Sequence, residues 1–364
     1  MLNPQQAYLQ TAPVQYQNER DILLKAGDYL SYWGNRILIS GGHRALKASL
    51  SKIEEGLRKE NLIWETHRFT GECCDDNIKK ISRKAEDFGA DIILGVGGGK
   101  AIDTAKVAAE EADCYLAAVP TIASTCSATS AFSVVYTPDG LHLRSHYLPS
   151  HPVLVLIDPV IIAEAPEKYL KSGIIDGLSK WYEGRAVISG MDDPDLFSQS
   201  ALKLAELLAG EIKKYAHSSL QSCRENRAGS SLIRVIDLNV FLTGVIQSLG
   251  LKTSRGAAAH AIHNGLTVME ESHDILHGIK VAYGLIVQLF LENKAEEEIS
   301  ELVSFFKKLE VTPSLAGLGL RNDPSLLKKA GKKAVQEEVM CRMPEKVELE
   351  DLLLAMERTE VFVS

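Results

Sequence analysis

Short apolar runs alternate with amphipathic helical patterns until about residue 158 and then stop, and this break constrains the chain more than any other feature. Before it, Arg36-Ile37-Leu38-Ile39-Ser40 reads as a buried strand and 44–59 as a helix. Leu62-Ile63-Trp64-Glu65 reads as the next strand, followed by a helix from Asp75 to about Phe88. Asp91-Ile92-Ile93-Leu94-Gly95-Val96 and Tyr115-Leu116-Ala117-Ala118-Val119-Pro120 are strands with another helix between them. Ser133–Thr137 and Val153–Ile157 are two more, with a turn at Pro138-Asp139-Gly140. Strands joined by crossover helices imply a parallel sheet covered on both faces. From 158 onward only helical periodicity is found, over 172–188, 197–215, 229–249, 256–270, 276–293, 296–309, 324–338 and 348–358. The chain therefore reads as an α/β domain over 1–157 and an all-helical domain over 158–364. Its 364 residues suit two cores, since one core rarely grows past roughly 250 residues.

Several function classes drop out on composition. The net charge is −8, without the clustered basic footprint that nucleic acid requires. The short run Lys328-Lys329-Ala330-Gly331-Lys332-Lys333 reads as a solvated helix face. The six cysteines form no CxxC pair, and scattered thiols fit a reducing, cytoplasmic setting. Met1-Leu2-Asn3-Pro4-Gln5-Gln6 lacks the apolar core of a signal peptide. No run approaches 18 consecutive apolar residues, so no membrane span is expected. A small molecule is the expected partner.

The segment from Leu94 to Lys106 is the most informative. A strand ends, Gly97-Gly98-Gly99 follows, and a helix begins. Such a turn lets the backbone approach a ligand, and the free N–H groups of the helix start suit a pyrophosphate. Leu94 stands where a Walker A loop needs its first glycine, and Lys100 stands where GxGxxG needs its last. A plain strand-to-helix turn is the alternative.

His260 and His263, at i and i+3 in a helical stretch, share one face, and His277 begins the next helix. Three of the ten histidines thus fall close together among small and apolar residues. Neutral imidazoles so placed suit a metal such as zinc or iron. A carboxylate is then wanted, and Asp176 lies in an apolar segment, although its local sequence reads equally as a helix cap.

Together, and in this order, the following pieces resemble the iron-containing (group III) alcohol dehydrogenase superfamily, glycerol dehydrogenase branch: Gly97-Gly98-Gly99-Lys100 with Asp103 and Lys106, Pro120 to Thr125, Gly173 to Leu178, Ala257 to Thr267, and His277 to Gly284. The resemblance covers about 95–290. It implies a dehydroquinate synthase-like fold: a Rossmann-like dinucleotide-binding domain, an all-helical metal-binding and catalytic domain, and an active site in the cleft between them. It assigns one divalent metal, Zn or Fe, to Asp176, His260 and His277. It assigns cofactor contacts to Gly97, Gly98, Gly99, Lys100, Asp103, Thr121, Ser124, Ser130, Phe132 and Tyr136. His263 matches a second family histidine near the nicotinamide, placed to orient the cofactor or relay a proton. A homo-oligomer is expected.

Two departures shape the expected substrate and cofactor. Glycerol dehydrogenases carry an Asp where this chain has Cys126, and that Asp holds polyol hydroxyls. Cys126 removes a charge that would repel an anionic substrate, so the segment looks closer to the hydroxycarboxylate dehydrogenase type, as do Asp158-Pro159 and Lys180-Trp181-Tyr182-Glu183. A neutral packing substitution is the bland alternative. After the 37–40 strand, NAD-preferring members place an acid for the ribose hydroxyls. Here Gly41-Gly42-His43-Arg44 offers none, and His43 or Arg44 suits a 2′-phosphate. The chain thus reads as a metal-dependent reductase of small 2-oxo acids using NADPH, or NADH, with Cys126 and His263 as catalytic-site residues. A glycerol or vicinal-diol dehydrogenase using NAD is the alternative. A catalytically silent dinucleotide sensor is disfavoured by the complete Asp176, His260 and His277 set. A phosphate-substrate relative is disfavoured because no basic cluster adjoins the metal motifs.

Overall fold

Side chains alternate across a strand, so a strand buried on both faces needs apolar residues throughout. Ile37 and Ile39 pack into one core with Ile22, Leu23, Leu30, Ile53 and Leu57. Leu38 points the other way, into a core with Ile78, Ile81, Ala101, Ala105 and Ala108. The computed structural model describes residues 10–254 and 256–363, and the polar hexapeptide Met1–Gln6 lies outside them. Eight strands are described: β1 (Gln15–Asn18), β2 (Arg36–Gly42), β3 (Ile63–Phe69), β4 (Ile92–Gly97), β5 (Tyr115–Pro120), β6 (Phe132–Tyr136), β7 (His142–Tyr147) and β8 (Leu154–Ile157). Six form a parallel sheet in the order β1-β8-β5-β4-β2-β3. The strand expected at Ser133–Thr137 does not join it. As β6 it pairs antiparallel with β7 across the turn at Pro138-Asp139-Gly140. All six cysteines are free.

Contacts divide the chain into two units. The first runs to Leu170 and takes in Ser218–Ser248, and the second comprises Lys171–His217 and Leu249 onward. The first unit therefore continues past the expected boundary at 157 and reclaims a helical segment. Polar contacts from β1 explain part of this: Tyr16 Oη and Asn18 Nδ2 each donate to Asp237 Oδ1 at 2.8 Å. The segment also carries the loop after β5, since Asn239 Nδ2 donates to Ala123 O at 3.1 Å. Its helix, Ser230–Gly250, is interrupted by a π-helical turn at Asp237–Leu242. Among the described helices it alone has the length and hydropathy of a membrane span, and 56% of that stretch is buried within the protein.

The second unit has no strand among its described residues, only helices and the turns that join them. The helices that matter below are Glu167–Ser189, most of which falls in this unit, Ala258–Leu266, His277–Leu291 and Pro324–Gln336. Ala258–Leu266 and Pro324–Gln336 approach closely at Gly265, where a Cβ would stand 2.5 Å from Ala330 O.

A buried ammonium holds the loop between β5 and β6 to the sheet domain. The Lys106 side chain is fully buried and its Nζ lies 2.7 Å from Asp103 Oδ1. It donates to Ser127 O at 3.0 Å and also to Phe132 O. Asp103 in turn accepts from Ser127 Oγ at 2.6 Å and from Val134 N at 3.2 Å. Removing one partner of a buried ion pair leaves the other uncompensated, typically at about 3–5 kcal/mol. Lys106→Met should therefore lower the unfolding free energy by about 3 kcal/mol in urea melts. A loss within about 0.5 kcal/mol, the range of ordinary surface changes, would show that the ammonium does not hold this loop.

Candidate metal centre

Asp176 is interior to the helix Glu167–Ser189, which begins well before the expected start near 172. It is therefore not a helix cap. Its residue is 5% exposed, and Oδ1 makes no hydrogen bond. Three nitrogens surround that oxygen: His260 Nε2 and His277 Nε2, each at 3.5 Å, and Lys180 Nζ at 3.6 Å. The two Nε2 atoms lie 3.3 Å apart. Burial works against the charge on Asp176, but the Lys180 ammonium and the two imidazoles hold its carboxyl well below the usual range. It is an ionised oxygen with no donor to satisfy it, an arrangement that costs free energy unless a cation completes it.

The triangle of Asp176 Oδ1, His260 Nε2 and His277 Nε2 has edges of 3.3, 3.5 and 3.5 Å. A tetrahedral ion with bonds of roughly 2.05 Å has ligand edges of about 3.4 Å. The residues present therefore fit a divalent metal, and one carboxylate with two imidazoles is a donor set that zinc and ferrous iron both accept.

Each imidazole is held from behind. Glu183 Oε2 lies 2.6 Å from His260 Nδ1, which fixes a proton there and turns Nε2 toward Asp176 and His277. Glu183 also accepts from the N–H groups of Ala257 at 2.6 Å and His260 at 3.0 Å, so it caps the helix that carries His260. Burial tends to raise the Glu183 carboxyl, but His260 outweighs it and pulls it down to about 2. Burial likewise lowers His260, yet Glu183 pushes it up to about 9. His263 stands behind His277, with Nε2 3.1 Å from His277 Nδ1. Burial holds both of these rings below the ordinary histidine range, which favours their neutral forms.

Sequence reading named Asp176, His260, His277 and His263, and the structure brings all four together. Glu183 entered it only within a quoted motif, although it follows Asp176 by seven residues and so shares its helix face. Asn264 and Glu337 extend the hydrogen bonds behind His263; Asn264 likewise entered only within a quoted motif, and Glu337 was missed.

The expected cofactor residues lie in the first unit. Gly97 has φ +146°, a conformation that L side chains rarely adopt. Gly98 caps the helix Gly99–Glu111, whose first turn has no acid and no side-chain cap. The N–H groups at such a helix start have no intrahelical partner, an arrangement that suits an anion. Thr121 N donates to Gly97 O at 3.0 Å, which ties the loop after β5 to this turn. Ser124 is half-buried, and Ser130 is buried beside Lys106 Nζ at 3.4 Å. The Phe132 ring packs on Tyr147, and burial raises the Tyr136 phenol. Lys100 is exposed and pairs with Glu72. Asp103, expected to contact the cofactor, also supports the loop, with Oδ1 against Lys106 and Ser127 and Oδ2 accepting from Val134 N. Gly41 and Gly42 end β2, and His43 and Arg44 open the following helix on exposed positions. Arg68, absent from the sequence reading, lies beside Gly41 in strand register and donates to His43 Nδ1 at 2.9 Å. The Cys126 thiol is 3.1 Å from Gln247 Oε1.

Residues 13–159 match the family model for iron-containing alcohol dehydrogenases. The chain is 35% identical to a glycolaldehyde reductase of Halobacterium salinarum over 314 residues, 85% of each protein. It is 35% identical to a glycerol dehydrogenase of Escherichia coli O6:H1 over 338 residues, 92% of this chain and 91% of that one. It is also similar to the crystal structure of a probable glycerol dehydrogenase from Sinorhizobium meliloti 1021, with a TM-score of 0.88 at 30% identity, covering 98% of this chain and 99% of that one.

The triangle predicts that His260→Ala or His277→Ala leaves too few donors for tight metal binding. Metal analysis after dialysis should find either variant essentially empty and its turnover nearly abolished. Wild-type metal content in either would sink the assignment.

Proposed function

The chain belongs to the iron-containing alcohol dehydrogenase family, in its glycerol dehydrogenase branch, and we propose that it is a metal-dependent, NAD(P)-linked reductase of small 2-oxo acids. The observation that carries this reading is the triangle of Asp176, His260 and His277 around an unsatisfied buried carboxylate oxygen. Reduction adds a hydride to the carbonyl carbon and a proton to its oxygen. A divalent cation held by these residues supplies the Lewis acidity that polarises the carbonyl, and a nicotinamide supplies the hydride. The chain does the remaining work. Asp176, His260 and His277 hold the cation with three ligands, and Glu183 keeps the His260 lone pair turned inward. The N–H groups after Gly98 receive the pyrophosphate, and Lys106 with Asp103 sets the loop that carries Thr121, Ser124 and Cys126. Six free thiols support a reducing, cytoplasmic setting.

The 2-oxo acid reading rests on Cys126, which puts no carboxylate where a polyol-binding Asp is expected. A second reading, oxidation of glycerol or another vicinal diol, is supported by similarity to glycerol dehydrogenases. Glycolaldehyde, glycerol and 2-oxo acids share oxygens on neighbouring carbons, so the readings differ mainly in charge. A panel of 2-oxo acids, aldehydes and polyols, run with NADH and NADPH on metal-loaded protein, distinguishes them.

On the cofactor, NADPH should bind more tightly than NADH. No acid stands at 41–44 to repel a 2′-phosphate, and Arg68 adds a guanidinium beside His43. Fluorescence titration of the wild type and of Arg68→Ala checks this, the variant losing part of the preference. Tighter NADH binding by the wild type would refute it.

On the substrate, Cys126→Asp should slow a 2-oxo acid more than a neutral diol. A fixed negative charge in a partly dry site repels an anionic substrate. A tenfold shift in relative kcat/KM is about 1.4 kcal/mol, within reach of one misplaced charge. Equal slowing of both substrates would make Cys126 a packing residue and favour the diol reading.

A further inference from the structure

We propose that Asn264 and Glu337 are positioning residues for the metal centre, fixing through His263 which ring nitrogen of His277 carries its proton. This rests on the metal reading of Asp176, His260 and His277. Each choice along the chain of hydrogen bonds forces the next. A carboxylate only accepts, so Glu337 Oε2 draws the amide nitrogen of Asn264, at 2.9 Å. Asn264 Oδ1 is thereby turned to His263 and lies 2.9 Å from its Nδ1. A carbonyl oxygen also only accepts, so His263 carries its proton on Nδ1 and presents a lone pair at Nε2. His277 Nδ1, 3.1 Å from that lone pair, must then donate. A neutral imidazole has one N–H. The His277 Nε2 lone pair is therefore left pointing at Asp176 Oδ1 and His260 Nε2, at 3.5 and 3.3 Å. The opposite setting puts a proton on Nε2, where a metal has to bind.

The two metal imidazoles thus take their orientation differently. His260 has a carboxylate, Glu183, directly against its outer nitrogen. His277 has an imidazole there, and its carboxylate is reached only through two further side chains. The connection spans 73 residues of sequence, from the helix Ala258–Leu266 to the residue that follows Pro324–Gln336.

The relay has a polarity, which makes it testable by reversal. Glu337→Gln keeps the shape but can donate to Asn264 Oδ1. Asn264 is then no longer held with Oδ1 toward His263, and whenever it turns its Nδ2–H there both imidazoles take the blocking tautomer. Adding Asn264→Asp restores an acceptor facing His263, while the amide introduced at position 337 donates to the new carboxylate. Co(II) affinity, measured by chelator competition and visible absorption, should fall about 10–100-fold in Glu337→Gln, the usual effect of losing an outer partner of a metal-bound histidine. The double variant should recover most of it. In the Zn(II)-loaded protein, ¹⁵N histidine shifts should place the His277 proton on Nδ1 in the wild type and the double variant. Wild-type Co(II) affinity in Glu337→Gln, or a double variant as weak as the single, overturns the relay alone. A wild-type chain that takes up no Co(II) overturns the metal reading together with it.

Discussion

An ionised carboxylate oxygen buried without a hydrogen-bond donor is the constraint on which the helical unit depends. Moving such a charge out of water costs several kcal/mol unless other charges or donors meet it. Asp176 Oδ1 is met from three directions: Lys180 one turn along its own helix, His260 from Ala258–Leu266, and His277 from the start of His277–Leu291. Glu183, on the same helix face as Asp176, both orients the His260 ring and caps its helix. One stretch of eight positions therefore supplies a buried carboxylate, its neutralising cation and the support for a neighbouring imidazole.

The glycine turn of the sheet unit is organised by a different principle. Around it, side chains work mainly to hold backbone still. The turn at Gly97–Gly99 is fixed by strand and helix geometry. The following loop is held by Lys106 and Asp103 on one side and by Asn239 and Gln247 of Ser230–Gly250 on the other. The π-helical turn at Asp237–Leu242 belongs to this support. It places Asp237 on β1 and Asn239 on the loop, two contacts that lie only two residues apart.

Much of this was legible in the sequence. β2, β4 and β5 are apolar almost throughout, so their runs stand out. β1 and β7 are polar and partly exposed, and they carry no such signal. Periodicity identified Ser230–Gly250 as helical but does not report which core a helix joins, so its membership of the first unit was hidden. The cluster of Asp176, His260 and His277 was legible because histidine spacing and motif order combine. Asp176 alone was ambiguous, since a helix start cannot be placed well by pattern when the preceding turn, Glu167–Leu170, is also helical. Arg68 and Glu337 were out of reach. One meets its site through strand register, and the other through the packing of two helices distant in sequence.

The chain passes from one unit to the other at residues 170, 217 and 248, so neither unit is a continuous piece of polypeptide. During synthesis the parallel sheet emerges first, yet the segment that anchors β1 and the loop after β5 follows only once 171–217 has been made. Domains made of contiguous sequence can fold in turn as they leave the ribosome. Here the sheet unit must wait for its last part, and no single cut in the polypeptide separates the two units intact. Any contiguous fragment that keeps one unit whole has to carry part of the other with it.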